Sequence, residues 1–80
     1  MSNAFITQEN PVETVANNTQ AFRRAYKRLN SGEQKDEQKA FCRHYSISPP
    51  AFRARLSGST RVSDSELAWF EKRVATYFPS

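Results

Sequence analysis

The side chains in this sequence best equipped for chemistry are those that grip polyanions. Gln38, Lys39, Arg43, Arg53, Arg55 and Arg61 all fall between residues 38 and 61. A guanidinium meets a phosphate or a guanine edge with paired N–H donors, and a lysine ammonium meets a phosphate as a point charge. The balance around them is lopsided: residues 23–61 carry ten Lys or Arg against three acids, a net of +7, whereas the flanks together carry −3, leaving the chain at +4. A negative partner is the simplest reason for so uneven a charge; the plainer alternative is that Lys and Arg are there for solubility.

Other chemistries find little support. Cys42 and His44 stand two apart, but a zinc site needs about four ligands and the chain has one Cys and one His. No carboxylate pair, Gly-rich phosphate loop or triad stands out, so catalytic residues, a metal and a cofactor are not expected and the chain does not read as an enzyme. Cys42 reads as a small core residue and His44 as the polar end of a helix.

Eighty residues make one domain, and a chain of that length hides about 60% of the surface it would expose unfolded, so its core must be compact. A lone cysteine cannot form an internal disulfide, which fits a reducing cytoplasm. No apolar run approaches the roughly 18 to 20 residues that cross a bilayer, and no signal-like leader is seen, so a membrane partner is not expected.

Four helices must position the basic residues. Residues 1–9 read as a flexible tail and residues 10–80 as the domain. Asn10-Pro11-Val12-Glu13 is a helix start, with a capping Asn, Pro in the first turn and Glu to answer the cap. From there Val12, Val15, Thr19, Phe22, Tyr26 and Leu29 share one face, and Arg24, Lys27 and Arg28 another. Asn17-Asn18-Thr19 are weak helix formers expected to fray or split it, so Gln20 to Leu29 is its firm part, ended by Asn30-Ser31-Gly32. The second helix, Glu33 to His44, is polar for two turns and should be loosely held at its start, docking through Ala40, Phe41 and Tyr45. Tyr45-Ser46-Ile47 is a turn, and Ser48 caps a third helix that begins Pro49-Pro50, anchors inward through Phe52 and Leu56 and closes at Gly58. Ser63-Asp64-Ser65-Glu66 is a capping box, followed by an apolar stripe of Leu67, Phe70, Val74, Tyr77 and Phe78. With no alternating strand pattern, the expectation is all-α. Residues 38–58 then form two short helices joined by a tight turn, the layout of a helix-turn-helix.

From Gln38 to about Val74 the chain resembles the Cro and phage-repressor-like (Xre-type) helix-turn-helix family. Gln38 matches the Gln that opens the first helix of that motif, Cys42 its small crossing residue, Ser46-Ile47-Ser48 its turn, Phe52 the apolar centre of its recognition helix and Gly58 the glycine after it. The resemblance implies a compact four-helix domain of lambda-repressor type, a transcriptional regulator, double-stranded DNA as partner, dimerisation on paired half-sites, and an origin in a phage or other mobile element. Three departures from the pattern stand out. Ser46 replaces a turn glycine, which would strain it at positive φ. Pro49 and Pro50 stand where the family presents polar side chains to bases, and Arg55 stands where an apolar residue often lies.

On this reading the outer face of helix three carries Pro50, Ala54 and Ser57, flanked by Arg53 and Arg55. Arg53 is the candidate for reading guanine, with Ala54 and Pro50 as apolar base contacts, and Gln38, Lys39, Arg43, Ser48 and Arg61 as phosphate contacts. Trp69 projects about 200° from Leu67, away from the apolar stripe. It would therefore be covered by the tail at Phe5 and Ile6, stack on Arg73, or join Arg73 in a homodimer or partner surface. Two alternatives to the regulator stay open: a protein-interaction module on this fold that has lost specific DNA reading, and a non-specific nucleic-acid binder.

Overall fold

The computed structural model describes residues 11–79, with side chains from Asn17 onward. The expected tail, with Phe5 and Ile6, and the Asn10 cap lie outside the described residues, as do the side chains of Val12 and Val15. The remainder is all-α: α1 spans Pro11–Lys27, α2 Ser31–Tyr45, α3 Pro49–Ser57 and α4 Asp64–Ala75.

Each helix contributes one phenylalanine to a common centre. Phe22 of α1, Phe41 of α2, Phe52 of α3 and Phe70 of α4 are all 0% exposed, and Phe22 lies 5.6, 5.5 and 4.5 Å, centroid to centroid, from Phe41, Phe52 and Phe70. Edge-on and tilted geometries prevail, as the ring quadrupole favours. Ala25, Leu29 and Val74 extend this core, and Val62 closes it from the α3–α4 loop. The expected anchors Phe22, Leu29, Phe41, Phe52, Phe70 and Val74 are all inside, whereas Leu56 and Leu67 are half-buried and Phe78 is exposed.

Local caps set the helix ends. At α2 the Asn30 side chain accepts from the Glu33 N–H at 2.8 Å while Glu33 Oε1 accepts from the Asn30 N–H at 3.0 Å. The Gln34 amide donates to the Tyr26 and Leu29 carbonyls at the end of α1. The start of α2 is therefore pinned, not loose, and Asn30 opens α2 rather than merely ending α1. Ser63 and Glu66 form the expected capping box at α4. That helix stops at Ala75, so Tyr77 and Phe78 leave it in a tightened turn whose N–H groups bond back to the Val74 and Ala75 carbonyls.

Nor does α1 split at its polar residues. Asn18 and Thr19 are buried, and the Asn18 amide donates both to the Val62 carbonyl at 2.9 Å and to the Asp64 carboxylate at 2.8 Å. A tertiary tie to the α3–α4 loop overrides weak helix propensity.

One buried charge joins α2 to the end of the chain. Glu37 is 1% exposed, and Arg73 donates to its two carboxylate oxygens at 2.8 and 2.9 Å while the Tyr77 hydroxyl donates at 2.6 Å. The hydrogen bonds from Arg73 hold the Glu37 carboxyl below its ordinary value against the opposing effect of burial. The bond to Glu37 pushes the Tyr77 phenol up to about 12.

Arg73 is itself partly exposed but Glu37 is buried, so Arg73→Ala leaves that carboxylate with only Tyr77 and should cost about 1–3 kcal/mol in urea unfolding. The stability that ionised Glu37 contributes is complete above its ordinary pKa of 4.5 and is lost as pH falls through the lower folded value. Glu37→Gln should therefore flatten the acid limb of stability against pH. At the alkaline end the Tyr77 contribution is present below pH 10 and lost as pH rises through about 12. Tyr77→Phe should remove that loss.

Candidate nucleic-acid interface

The turn that aims α3 is made by Ser46, which takes φ 55° and ψ 49°. The N–H groups of Ser46 and Ile47 both bond the Cys42 carbonyl, finishing α2 and reversing the chain. Ser46 is the one non-glycine residue at positive φ among those described, the strain that its place in the turn implied. Ser48 then caps α3 through its hydroxyl oxygen, which accepts from the Ala51 N–H at 3.3 Å. At the far end Gly58, at φ 94°, donates to the Ala54 carbonyl. An added Cβ at Gly58 would meet ordinary neighbours, so conformation rather than space calls for glycine there.

The basic residues divide into those the fold uses and those it leaves outward. Arg55 does not flank an outer face: its side chain is 12% exposed, pairs with Glu66 of α4 at 3.2 Å, and donates to the Ala51 carbonyl at 3.0 Å. It fills the place expected of an apolar residue because its charge is met by a carboxylate that also caps α4. Arg23 of α1 donates to the Leu56 and Ser57 carbonyls, offsetting the negative end of α3. Arg28 lies 4.2 Å over the Phe78 ring. Arg53, Lys39, Arg43 and Arg61 are exposed and have no ion-pair partner among the described residues.

On α3 the residues opposite Phe52 are Pro50, Ala54 and Ser57. Pro50 and Ser57 are exposed and Ala54 is half-buried, with exposed Arg53 on the flank, as the helical spacing predicts. Lys39 and Arg43 stand on the outer side of α2, opposite Phe41. Lys35, four residues before Lys39 and also exposed, continues their row; the four-residue spacing in the sequence was signal enough to find it. Burial pushes the Cys42 thiol up while the charges of Arg55 and Arg53 oppose the rise.

Gln38 is placed differently from the resemblance. Because α2 opens at Ser31, Gln38 stands in the middle of a long helix, half-buried, and not at a helix start with open N–H groups. Ser48, exposed at the cap, keeps its hydroxyl proton while its oxygen serves Ala51.

Trp69 also lies elsewhere than its helical angle suggests. It packs on the core, with its ring 5.8 Å from Phe41, because the end of α2 crosses that side of α4. The His44 imidazole stacks on it at 4.4 Å and 14°. Arg73 does lie over the indole, at 5.4 Å, yet its hydrogen bonds go to Glu37. Both residues are thus engaged within the chain. Among the described residues no three His, Cys, Asp or Glu gather as a metal site, and no helix is long and apolar enough to cross a membrane.

Replacing Ser46 by glycine should stabilise the domain by about 0.5–1 kcal/mol, since the left-handed penalty of an L-residue outweighs the chain freedom glycine adds on unfolding. A rise in the urea midpoint at unchanged slope is the expected result. No family model, curated protein or solved structure matches the chain, so the likeness to repressor-type motifs rests on these residues alone.

Proposed function

We propose that this chain is a DNA-binding domain of helix-turn-helix type, acting as a small transcriptional regulator with α3 docked in the major groove. The observation that carries the proposal is the division of the cations. The fold employs Arg23, Arg55 and Arg73 in part-buried bonds to other helices and leaves Arg53, Lys39, Arg43 and Arg61 outward. Three of the outward four, Lys39, Arg43 and Arg53, stand on the two helices of this motif, and Arg61 on the loop that follows.

In this reading Arg53 reaches a guanine edge, where a good bidentate contact discriminates by about 1–3 kcal/mol. The small outer side of α3 lets the helix approach closely, with Pro50 and Ala54 against thymine methyl groups. Lys39, Arg43 and Arg61, with Lys35 and the Ser48 hydroxyl, grip phosphates and fix register without reading sequence. Neither a metal nor a cofactor is required.

One observation favours the second reading, a protein-interaction module on the same fold. The exposed front of α3 is Pro49-Pro50, a rigid apolar edge with no hydrogen-bond donor of its own.

Titrating a labelled random duplex pool at several salt concentrations separates these readings. A steep salt slope with enrichment of particular sequences supports the regulator, and a slope without enrichment a non-specific binder. Absence of binding at low salt would overturn both and leave the protein-interaction module. Within the regulator reading, Arg53→Ala should flatten sequence preference, whereas Arg43→Ala should weaken all sequences alike and lower the salt slope by about 1. Equal effects of the two substitutions would remove α3 as the reader.

A further inference from the structure

A helix that meets a phosphate usually does so with the open N–H groups of its first turn. Helix α3 has none to offer. Pro49 and Pro50 carry no N–H, the Ala51 N–H is taken by the Ser48 hydroxyl oxygen, and the Phe52 N–H bonds the Ser48 carbonyl at 3.1 Å. The first-turn backbone of α3 is therefore closed to anions, and the Ser48 hydroxyl proton is the one donor left at its front.

The opposite end has the reverse character. Between α1 and the C-terminal end of α3 lies a groove of about 420 Å³ lined by Arg23, Tyr26, Lys27, Leu56 and Ser57. A second depression on α1, lined by Gln20, Arg23, Arg24 and Lys27, shares Arg23 and Lys27 with it. The lining of the two contains three cations and no carboxylate. The C-terminal carbonyls of a helix ordinarily repel an anion, but here Arg23 covers those of Leu56 and Ser57. That leaves the Lys27 ammonium and the outer edge of Arg23 to act on whatever enters.

We infer that the groove between α1 and the end of α3 holds a backbone phosphate of the bound nucleic acid, with Lys27 as its principal contact, and that this anchor stands in for the first-turn N–H groups that α3 lacks. The phosphate lies against Lys27 and the free edge of Arg23, and its sugar rests on the apolar floor of Tyr26 and Leu56. The footprint thus runs from the outer side of α3 onto α1, and Arg24 extends it along the same helix. This inference rests on the nucleic-acid reading above, and its failure is separable from the failure of that reading.

The test is fluorescence anisotropy of a labelled random-sequence duplex over a salt series, with circular dichroism to verify folding. Lys27 is exposed and its side chain makes no hydrogen bond or ion pair among the described residues, so Lys27→Ala should remain folded. The expected result is a salt slope lower by about 1 in Lys27→Ala, weakening all sequences alike, and no change in the α4 surface control Lys72→Ala. An unchanged slope in Lys27→Ala beside a reduced one in Arg43→Ala would overturn the inference and keep the nucleic-acid reading. Absence of wild-type binding to the duplex would overturn both. A labelled polyglutamate peptide, bound by the wild type and released by Lys27→Ala while duplex binding stays unaltered, would also overturn it by assigning the groove to an acidic protein segment.

Discussion

The structure depends on four phenylalanine rings, one from each helix, meeting in a single cluster. In so short a chain no helix can bury its apolar stripe against one neighbour alone, so each must reach a shared centre. Phe22 on α1 touches the other three rings, which makes α1 the support behind the motif formed by α2 and α3. Each buried ring contributes about 1.5–3 kcal/mol by leaving water, and edge-to-face contacts add specificity of angle. The angle between α2 and α3 is accordingly set from inside as well as by the turn at Ser46.

Around this apolar centre the polar ties each span distant parts of the chain. Asn18 reaches the α3–α4 loop, Arg23 the end of α3, Arg55 the start of α4, and Glu37 the end of α4 and the turn beyond it. Those of Asn18, Arg55 and Glu37 satisfy groups that would be costly to bury alone. The helices are thus fixed in angle by rings and in rotation by bonds, and that fixed rotation leaves Lys39 and Arg43 of α2 and Arg53 of α3 outward.

Much of this was legible because it is local. Ser48, Gly58 and the Ser63–Glu66 box act within one turn of chain, and their spacing announces the ends of α3 and α4. Phe22, Phe41, Phe52 and Phe70 were legible as the apolar beats of four helices. The polar residues were not. Glu37 and Asn18 are hydrophilic by type, and only partners some forty residues away, Tyr77 and Val62, make them interior. Trp69 misled for a related reason: a helical angle says which way a side chain leaves its own helix, not what crosses there, and His44 and Tyr45 arrive from α2. For the interface, exposure of Arg53, Lys39 and Arg43 followed from spacing. The diversion of Arg55 and Arg23 into the fold did not, since their carbonyl and carboxylate partners are tertiary.

The two prolines that begin α3 also limit its length. Nine residues at a rise of 1.5 Å make a rod of about 13 Å, little longer than the width of a major groove, about 12 Å. At 3.4 Å per base step such a rod passes only about four base pairs. Four pairs recur every few hundred positions by chance, while a genome offers about a million or more competing sites. The information that one copy of this helix can carry is therefore too small to name a single address. On DNA it would select one only as part of an array, with a second short helix, its own or another protein's, supplying the remaining letters.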